Sequence, residues 1–324
     1  MLISKTSSPA AHHDGEALRL VLRRAELAAC LERFVPGDGM HPTPIPGLYL
    51  LRASRAGELT HGQFEPALCV VAQGSKRVLL GDDVTAYDAL HHLVVSQNVP
   101  VAGQVVDASP DAPYLCVRLD IDLADVTSLM LGMGRPVGMP AGAAKGPNRG
   151  LYAAQTGEAL LDAVLRLVHL LDTPHDIPTL APLVVREIMY RLLSAEDGWR
   201  LAQIATPGSQ GQNISRAIAW LRERYGEPLK VEDLARAVHM SVSSLHHHFK
   251  AVTAMSPLQY QKQLRLQEAR RLLLMSDAAD AASVGHRVGY ESASHFSRDY
   301  ARLFGAPPAR DIRRLRQLTA GGGR

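Results

Sequence analysis

The stretch SVSSLHHHFKAVTAMSP, Ser241 to Pro257, places three histidines in a row ahead of Phe249. Successive side chains on an α-helix point about 100° apart, and only residues three or four apart share a face. His246, His247 and His248 therefore do not converge on one ion from a single helix. The same segment carries Leu245, Phe249 and Val252 at i, i+4 and i+7, an apolar stripe that belongs against a core. Ser243, His247 and Lys250 fall on the opposite face with His246 at its margin, which makes that face a presented surface.

Displaced by 51 residues, the stretch meets SASHFSRDYARLFGAPP, which begins at Ser292. Ser241 meets Ser292, Ser243 meets Ser294, Leu245 meets Phe296, Phe249 meets Tyr300, Val252 meets Leu303 and Pro257 meets Pro308. The preceding segments match at offset 50, with Leu234, Ala235 and Val238 on Val284, Gly285 and Val288. The repeated unit is a helix, a tight turn and a second helix, with a small residue where the two helices cross. That is a helix-turn-helix, whose second helix enters the major groove of DNA. Between the units, Ser256 to Met275 reads as a helix of about 30 Å at 1.5 Å per residue, close to the ~34 Å between successive major-groove faces.

Charge is divided in the same way. Residues 1–212 carry 17 Lys+Arg against 22 Asp+Glu, net −5, and residues 213–324 carry 18 against 10, net +8, within a chain of +3. A basic segment attached to an acidic one fits a polyanion partner for the former. The boundary lies in ATPGSQGQN, Ala205 to Asn213, which has linker composition. Upstream, short β-prone runs such as ALCVVAQG, LHHLVVS and PYLCVRLDID alternate with turn signals between about residues 45 and 122 and argue for a sandwich or small barrel. Helical patterns follow at about 156–194. Gly132 to Gly150 is glycine-rich but lacks the G-K-[ST] of a phosphate loop and reads as a loop.

The segment from Ile214 to Arg316, above all VEDLARAVHMSVSSLHHHFKAVTAMSPLQYQKQLRLQEARRLLL and VGYESASHFSRDYARLFGAPP, resembles the AraC/XylS family of bacterial transcription regulators. PALCVVAQGSKRVLLGDDVTAYDALHHLVVS and PVAGQVVDASPDAPYLCVRLDID resemble the N-terminal effector domain of one subgroup, a cupin-like barrel. The resemblance implies an α+β chain: an effector domain over 1–204 built on a cupin-like β-barrel with flanking helices, a linker at 205–213, and over 214–318 an all-α domain of two helix-turn-helix motifs linked by a long helix. It implies double-stranded DNA as partner, with RNA polymerase, an unidentified small-molecule effector and a homodimer as further expectations. DNA would be met by Ser243, His246, His247 and Lys250 from the first recognition helix and by Ser294, His295, Ser297 and Arg298 from the second. Arg298 suits base readout, because a guanidinium reaches guanine O6 and N7 together. One departure stands out: His239 occupies a turn position where the family commonly has glycine, as Gly289 does in the second unit.

No enzymatic activity, metal or cofactor is expected. A cupin metal site needs H-x-H on one strand face, and His91-His92 are adjacent and hence face opposite ways. Cys30, Cys69 and Cys116 make neither a disulfide framework nor a zinc signature; Cys69 and Cys116 remain open as a reactive sensor, with Arg118 on the same strand face as Cys116. No apolar run reaches the roughly 20 residues of a membrane span, and the start lacks a secretory h-region, so a cytoplasmic location is expected.

Overall fold

A computed structural model describes residues 9–133, 148–275 and 280–321. Most of the glycine-rich segment between Gly132 and Gly150 lies outside the described residues. The described residues begin with a long helix, α1 (Pro9–Phe34), that composition alone did not flag, and continue into nine strands: β1 (Gly39–Pro42), β2 (Leu48–Ala53), β3 (Thr60–Phe64), β4 (Ala67–Gln73), β5 (Ser75–Leu80), β6 (Asp83–Asp88), β7 (His91–Val95), β8 (Val99–Asp107) and β9 (Tyr114–Asp120). After α2 (Leu123–Met133) a tenth strand, β10 (Leu151–Gln155), joins the edge of the sheet beside β7. The strands form two antiparallel sheets, ordered β1-β2-β9-β4-β7-β10 and β3-β8-β5-β6. The α+β class and the β-rich N-terminal domain are as expected.

The uninterrupted apolar runs of β4 and β9 have a physical reason: both faces of the larger sheet are covered. Leu68, Val70, Leu115, Val117 and Leu119 point into a core closed by α1, α3 (Glu158–His169) and α4 (Ile177–Ser194). The alternate residues Cys69, Val71, Tyr114 and Cys116 point the other way, into a second core. That second core crosses between domains. It contains Val78, Tyr87 and Val101 of the barrel together with Ile214, Leu221, Leu245, Phe249 and Tyr260 of the C-terminal helices.

Residues 205–213, read as a linker from composition, contain only a short turn. After α5 (Gly198–Ala205) the chain turns at Thr206 to Ser209, and α6 (Gln210–Glu223) begins with Ser209 as its cap, the Ser209 hydroxyl accepting from the Gln212 N–H. The small residues there serve packing: a Cβ on Gly211 would stand 3.0 Å from the Gln203 carbonyl oxygen, and Gln97 Nε2 donates to the Gly211 carbonyl at 3.1 Å.

The C-terminal helices are α7 (Val231–Ala237), α8 (Val242–Thr253), α9 (Pro257–Met275), α10 (Ala281–Arg287), α11 (Ala293–Phe304) and α12 (Pro308–Gly321). The connecting helix α9, with 19 residues, is about 28 Å long. Its first half packs in the shared core and its second half, through Leu266, Ala269 and Leu273, in a third core with Phe296, Tyr300, Phe304 and Ile312.

Candidate nucleic-acid interface and the cavity behind it

The two helix-turn-helix units are built by matching local contacts. Ser241 caps α8 by accepting from the Ser244 N–H, and Ser292 caps α11 by accepting from the His295 N–H. Both turns close with the same two backbone bonds: His239 N–H to Arg236 O and Met240 N–H to Ala235 O in the first, Gly289 N–H to His286 O and Tyr290 N–H to Gly285 O in the second. The pivot residue is left-handed in each, φ 55° at His239 and 92° at Gly289. The predicted close crossing is present, since a Cβ on Gly285 would meet the Phe296 ring at 2.9 Å.

With Leu245, Phe249 and Val252 buried on α8 and Phe296, Tyr300 and Phe304 on α11, the remaining faces are fixed. Ser243, His246, His247 and Lys250 are exposed on α8, as are Ser294, His295 and Arg298 on α11, whereas Ser297 is half-buried. The Ser243 and Ser294 hydroxyls lie 3.2 and 2.9 Å from the capping Ser241 and Ser292 hydroxyls, which orients both toward the helix start. His247 and His248 stack edge-on at 5.0 Å between ring centres. His248 is half-buried, and burial followed by the neighbouring His247 lowers its pKa. Next to Arg298, Asp299 is tied to α9 by Lys262 at 2.7 Å. Among the described residues, no cluster of three or more His, Cys, Asp or Glu could hold a metal ion.

Behind this surface lies a cavity of about 890 Å³ that spacing in the sequence did not reveal, because its walls come from segments some 200 residues apart. One wall is barrel, with Leu51, Phe64, Cys69, Lys76 and Cys116; the other is α9, with Leu264, Gln267, Arg270, Arg271 and Leu274. Four of its guanidinium groups are compensated: Arg118 by Asp120, Arg222 by Glu65, Arg270 by Asp311 and Arg271 by Glu268. Lys76 stands 5.4 Å over the Phe64 ring. Gln63 and Gln267 each spend their amide N–H across the wall, on the Tyr260 hydroxyl and the Gly62 carbonyl. Among the described residues their buried carbonyl oxygens have no hydrogen-bond partner.

Contacts between the domains continue around the cavity. Arg149 pairs with Asp83 and donates to the Lys250 and Ala251 carbonyls at the end of α8, both at 2.9 Å. The Tyr260 hydroxyl donates to the Asn98 carbonyl at 2.9 Å, and Arg314 pairs with Glu58.

Comparison with known proteins agrees with this architecture. Residues 44–200 match the model of the AraC-type transcriptional regulator N-terminus, and residues 234–314 match a helix-turn-helix domain. The probable thc operon regulatory protein of Rhodococcus erythropolis is 27% identical over 247 residues, 67% of this chain and 74% of that protein. The HTH-type transcriptional activator RhaS of Salmonella schwarzengrund is 31% identical over 163 residues, half of this chain and 57% of its own length. Among solved structures, unsaturated fatty acid-bound ToxT of Vibrio cholerae has a TM-score of 0.52 at 10% identity over 82% of this chain and 94% of that one, a likeness of fold. A β-barrel domain joined to two helix-turn-helix units defines a DNA-binding transcription regulator. The chain belongs to the AraC family.

Proposed function

We propose that this regulator reads two successive major-groove faces with α8 and α11, and that a small molecule in the cavity between barrel and α9 sets how the two helices are presented. The observation that carries this reading is the double ownership of the cavity: one wall is barrel and the other is the helix joining both recognition units. An amphipathic effector suits it. Leu51, Val95, Leu264 and Leu274 would take an apolar body, Lys76 an anionic head, and the free carbonyl oxygens of Gln63 and Gln267 a hydroxyl or other donor on the ligand. The ToxT structure with a bound unsaturated fatty acid supports trying fatty acids first. Activation, as in the activator RhaS, with RNA polymerase as partner, in the cytoplasm, without catalysis and as a homodimer, completes the reading.

In this reading Ser243, His246, His247, Lys250, Ser294, His295, Ser297 and Arg298 meet DNA. Among the described residues Arg298 has neither an ion pair nor a side-chain hydrogen bond, which leaves its guanidinium for a base. The test is selection of preferred duplexes from random DNA by the full chain, followed by affinity measurements on the selected site. Arg298→Ala should cost about 1–3 kcal/mol and relax preference at one base pair, while Lys250→Ala should weaken all duplexes alike and flatten the salt dependence. Equal, sequence-independent losses from both would remove the base-reading role from Arg298.

A further inference from the structure

Cys69 on β4 and Cys116 on β9 stand on neighbouring antiparallel strands, with Cys69 opposite Arg118 and Val71 opposite Cys116. The two thiols therefore share one sheet face and are offset by one side-chain step along it. Both line the cavity, beside Lys76, Arg118, Tyr87 and Tyr114. Cys30, the third cysteine, lies in the separate core under α1 and α3. A bond across the diagonal of a strand pair requires some movement of the backbone. The β4–β9 ladder has an irregularity between Val71 and Gln73, next to the pair, where β4 can yield.

The surroundings make the two thiols unequal. A hydrogen bond from Cys116 is the main influence lowering the Cys69 pKa; burial opposes it, and Lys76 and Arg118 add to it. Cys116 is pushed well up, by that same hydrogen bond and by burial. Its Sγ also lies 3.4 Å from the Val117 carbonyl, a second acceptor for the hydrogen it keeps. Cys69 is thus the sulfur whose ionisation the surroundings favour, with Lys76 and Arg118 beside it, and Cys116 the one that keeps its proton.

We propose that Cys69 and Cys116 form a hydroperoxide-reactive dithiol in the cavity wall, with Cys69 the attacking sulfur and Cys116 the resolving one. The Cys69 thiol gives up its proton, the thiolate attacks one peroxide oxygen, the O–O bond breaks, and the leaving hydroxide takes up that proton as water, leaving Cys69 as a sulfenic acid. Cys116, deprotonated as it attacks, then displaces hydroxide from the Cys69 sulfur. The S–O bond breaks, the S–S bond forms, and water leaves. Two thiols are oxidised, the peroxide is reduced by two electrons, and the cavity is the route by which it reaches sulfurs that are otherwise buried.

The test uses the full chain, reduced, freed of reductant and titrated with hydrogen peroxide, then alkylated, digested and mapped by mass. The expected product joins the peptides carrying Cys69 and Cys116, leaves Cys30 alkylated as before, and returns to two thiols on addition of dithiothreitol. In Cys116→Ser the reaction should stop at a sulfenic acid on Cys69 that dimedone captures, and in Cys69→Ser the Cys116 thiol should survive the titration. The proposal is overturned when both sulfurs stay thiols at a dose that oxidises Cys30 or added glutathione, or when Cys116 oxidises as fast without Cys69. The mapping on the unaltered chain decides the matter even where a variant does not fold.

Discussion

His239 and Gly289 hold the same left-handed position in the two turns, yet one carries a side chain and the other cannot. A Cβ on Gly289 would stand 2.3 Å from the Gly226 carbonyl oxygen and 2.9 Å from the Arg265 guanidinium carbon, whereas His239 is exposed. His239 still bears the conformational cost of φ 55°, about 1–2 kcal/mol for a residue other than glycine. His239→Gly should therefore stabilise the chain by about 1 kcal/mol against urea, part of the relief being offset by the greater freedom of glycine when unfolded. Gly289→Ala should destabilise by more than that. A second histidine, on β7, acts through its proton. His92 is buried against Thr156 at 3.3 Å, and burial lowers its pKa from 6.5 to about 4. The folded state thus resists a proton that the unfolded chain accepts, so stability is full above pH 6.5 and falls between 6.5 and about 4. The loss is at most about 3 kcal/mol. His61 and His248 are lowered in the same sense, so the wild-type slope has several sources. His92→Gln should flatten it in part, as read from urea midpoints across that pH range; an unchanged slope would remove His92 from the account.

Among the helices, α9 and α12 are stapled by a buried carboxylate. Asp311 is 0% exposed and takes Arg270 Nε at 2.8 Å and its terminal nitrogen at 3.0 Å, with the Tyr300 hydroxyl donating at 2.9 Å. Burial, then the Asp311 charge, raises the Tyr300 pKa, so its hydroxyl stays protonated and donating. Arg270 also lies 4.3 Å over the Phe304 ring. Removing one partner leaves an uncompensated charge at the centre of the second unit, and Asp311→Ala should cost about 3–5 kcal/mol. Because desolvating both ions offsets much of their attraction, Arg270→Met with Asp311→Leu should recover most of that loss. Helical circular dichroism against urea for the three proteins checks both statements. The recognition helices themselves were legible in the sequence, because their apolar stripes recur 51 residues apart and the period of a stripe marks a helix whatever covers it. The small residues of 206–213 were not, since Gly, Ser and Gln serve a solvated linker and a tight packed turn equally well.

At the scale of the whole chain, the second core joins barrel and reader into one unit, with Val78 and Tyr87 from one side and Ile214, Phe249 and Tyr260 from the other. Two domains held only by a linker would unfold independently; two that share a core should unfold together. The two tryptophans report the two regions. Trp199 sits in α5, which follows the helices of the first core, and Trp220 in α6 packs against the shared core. In Trp199→Phe and Trp220→Phe variants, the remaining indole should report urea midpoints that agree with each other and with circular dichroism. Midpoints separated by more than the change the substitutions themselves cause would show the domains to be independent.

By itself the sequence determined what is local: the doubled helix-turn-helix, the exposed faces of α8 and α11, the basic charge of the C-terminal third and the β-rich half before it. Each of these rests on periodicity or on residue chemistry within a few turns of chain. Only the tertiary structure decided that the inward face of β4 and β9 is closed by the DNA-binding helices. It also decided that Gln63 meets Tyr260 and that Gln267 meets Gly62, across nearly 200 residues or more of sequence. An apolar run records that a strand is covered on both faces, but burial is non-directional and names no partner. The cavity and its two cysteines follow from which surface docks on which.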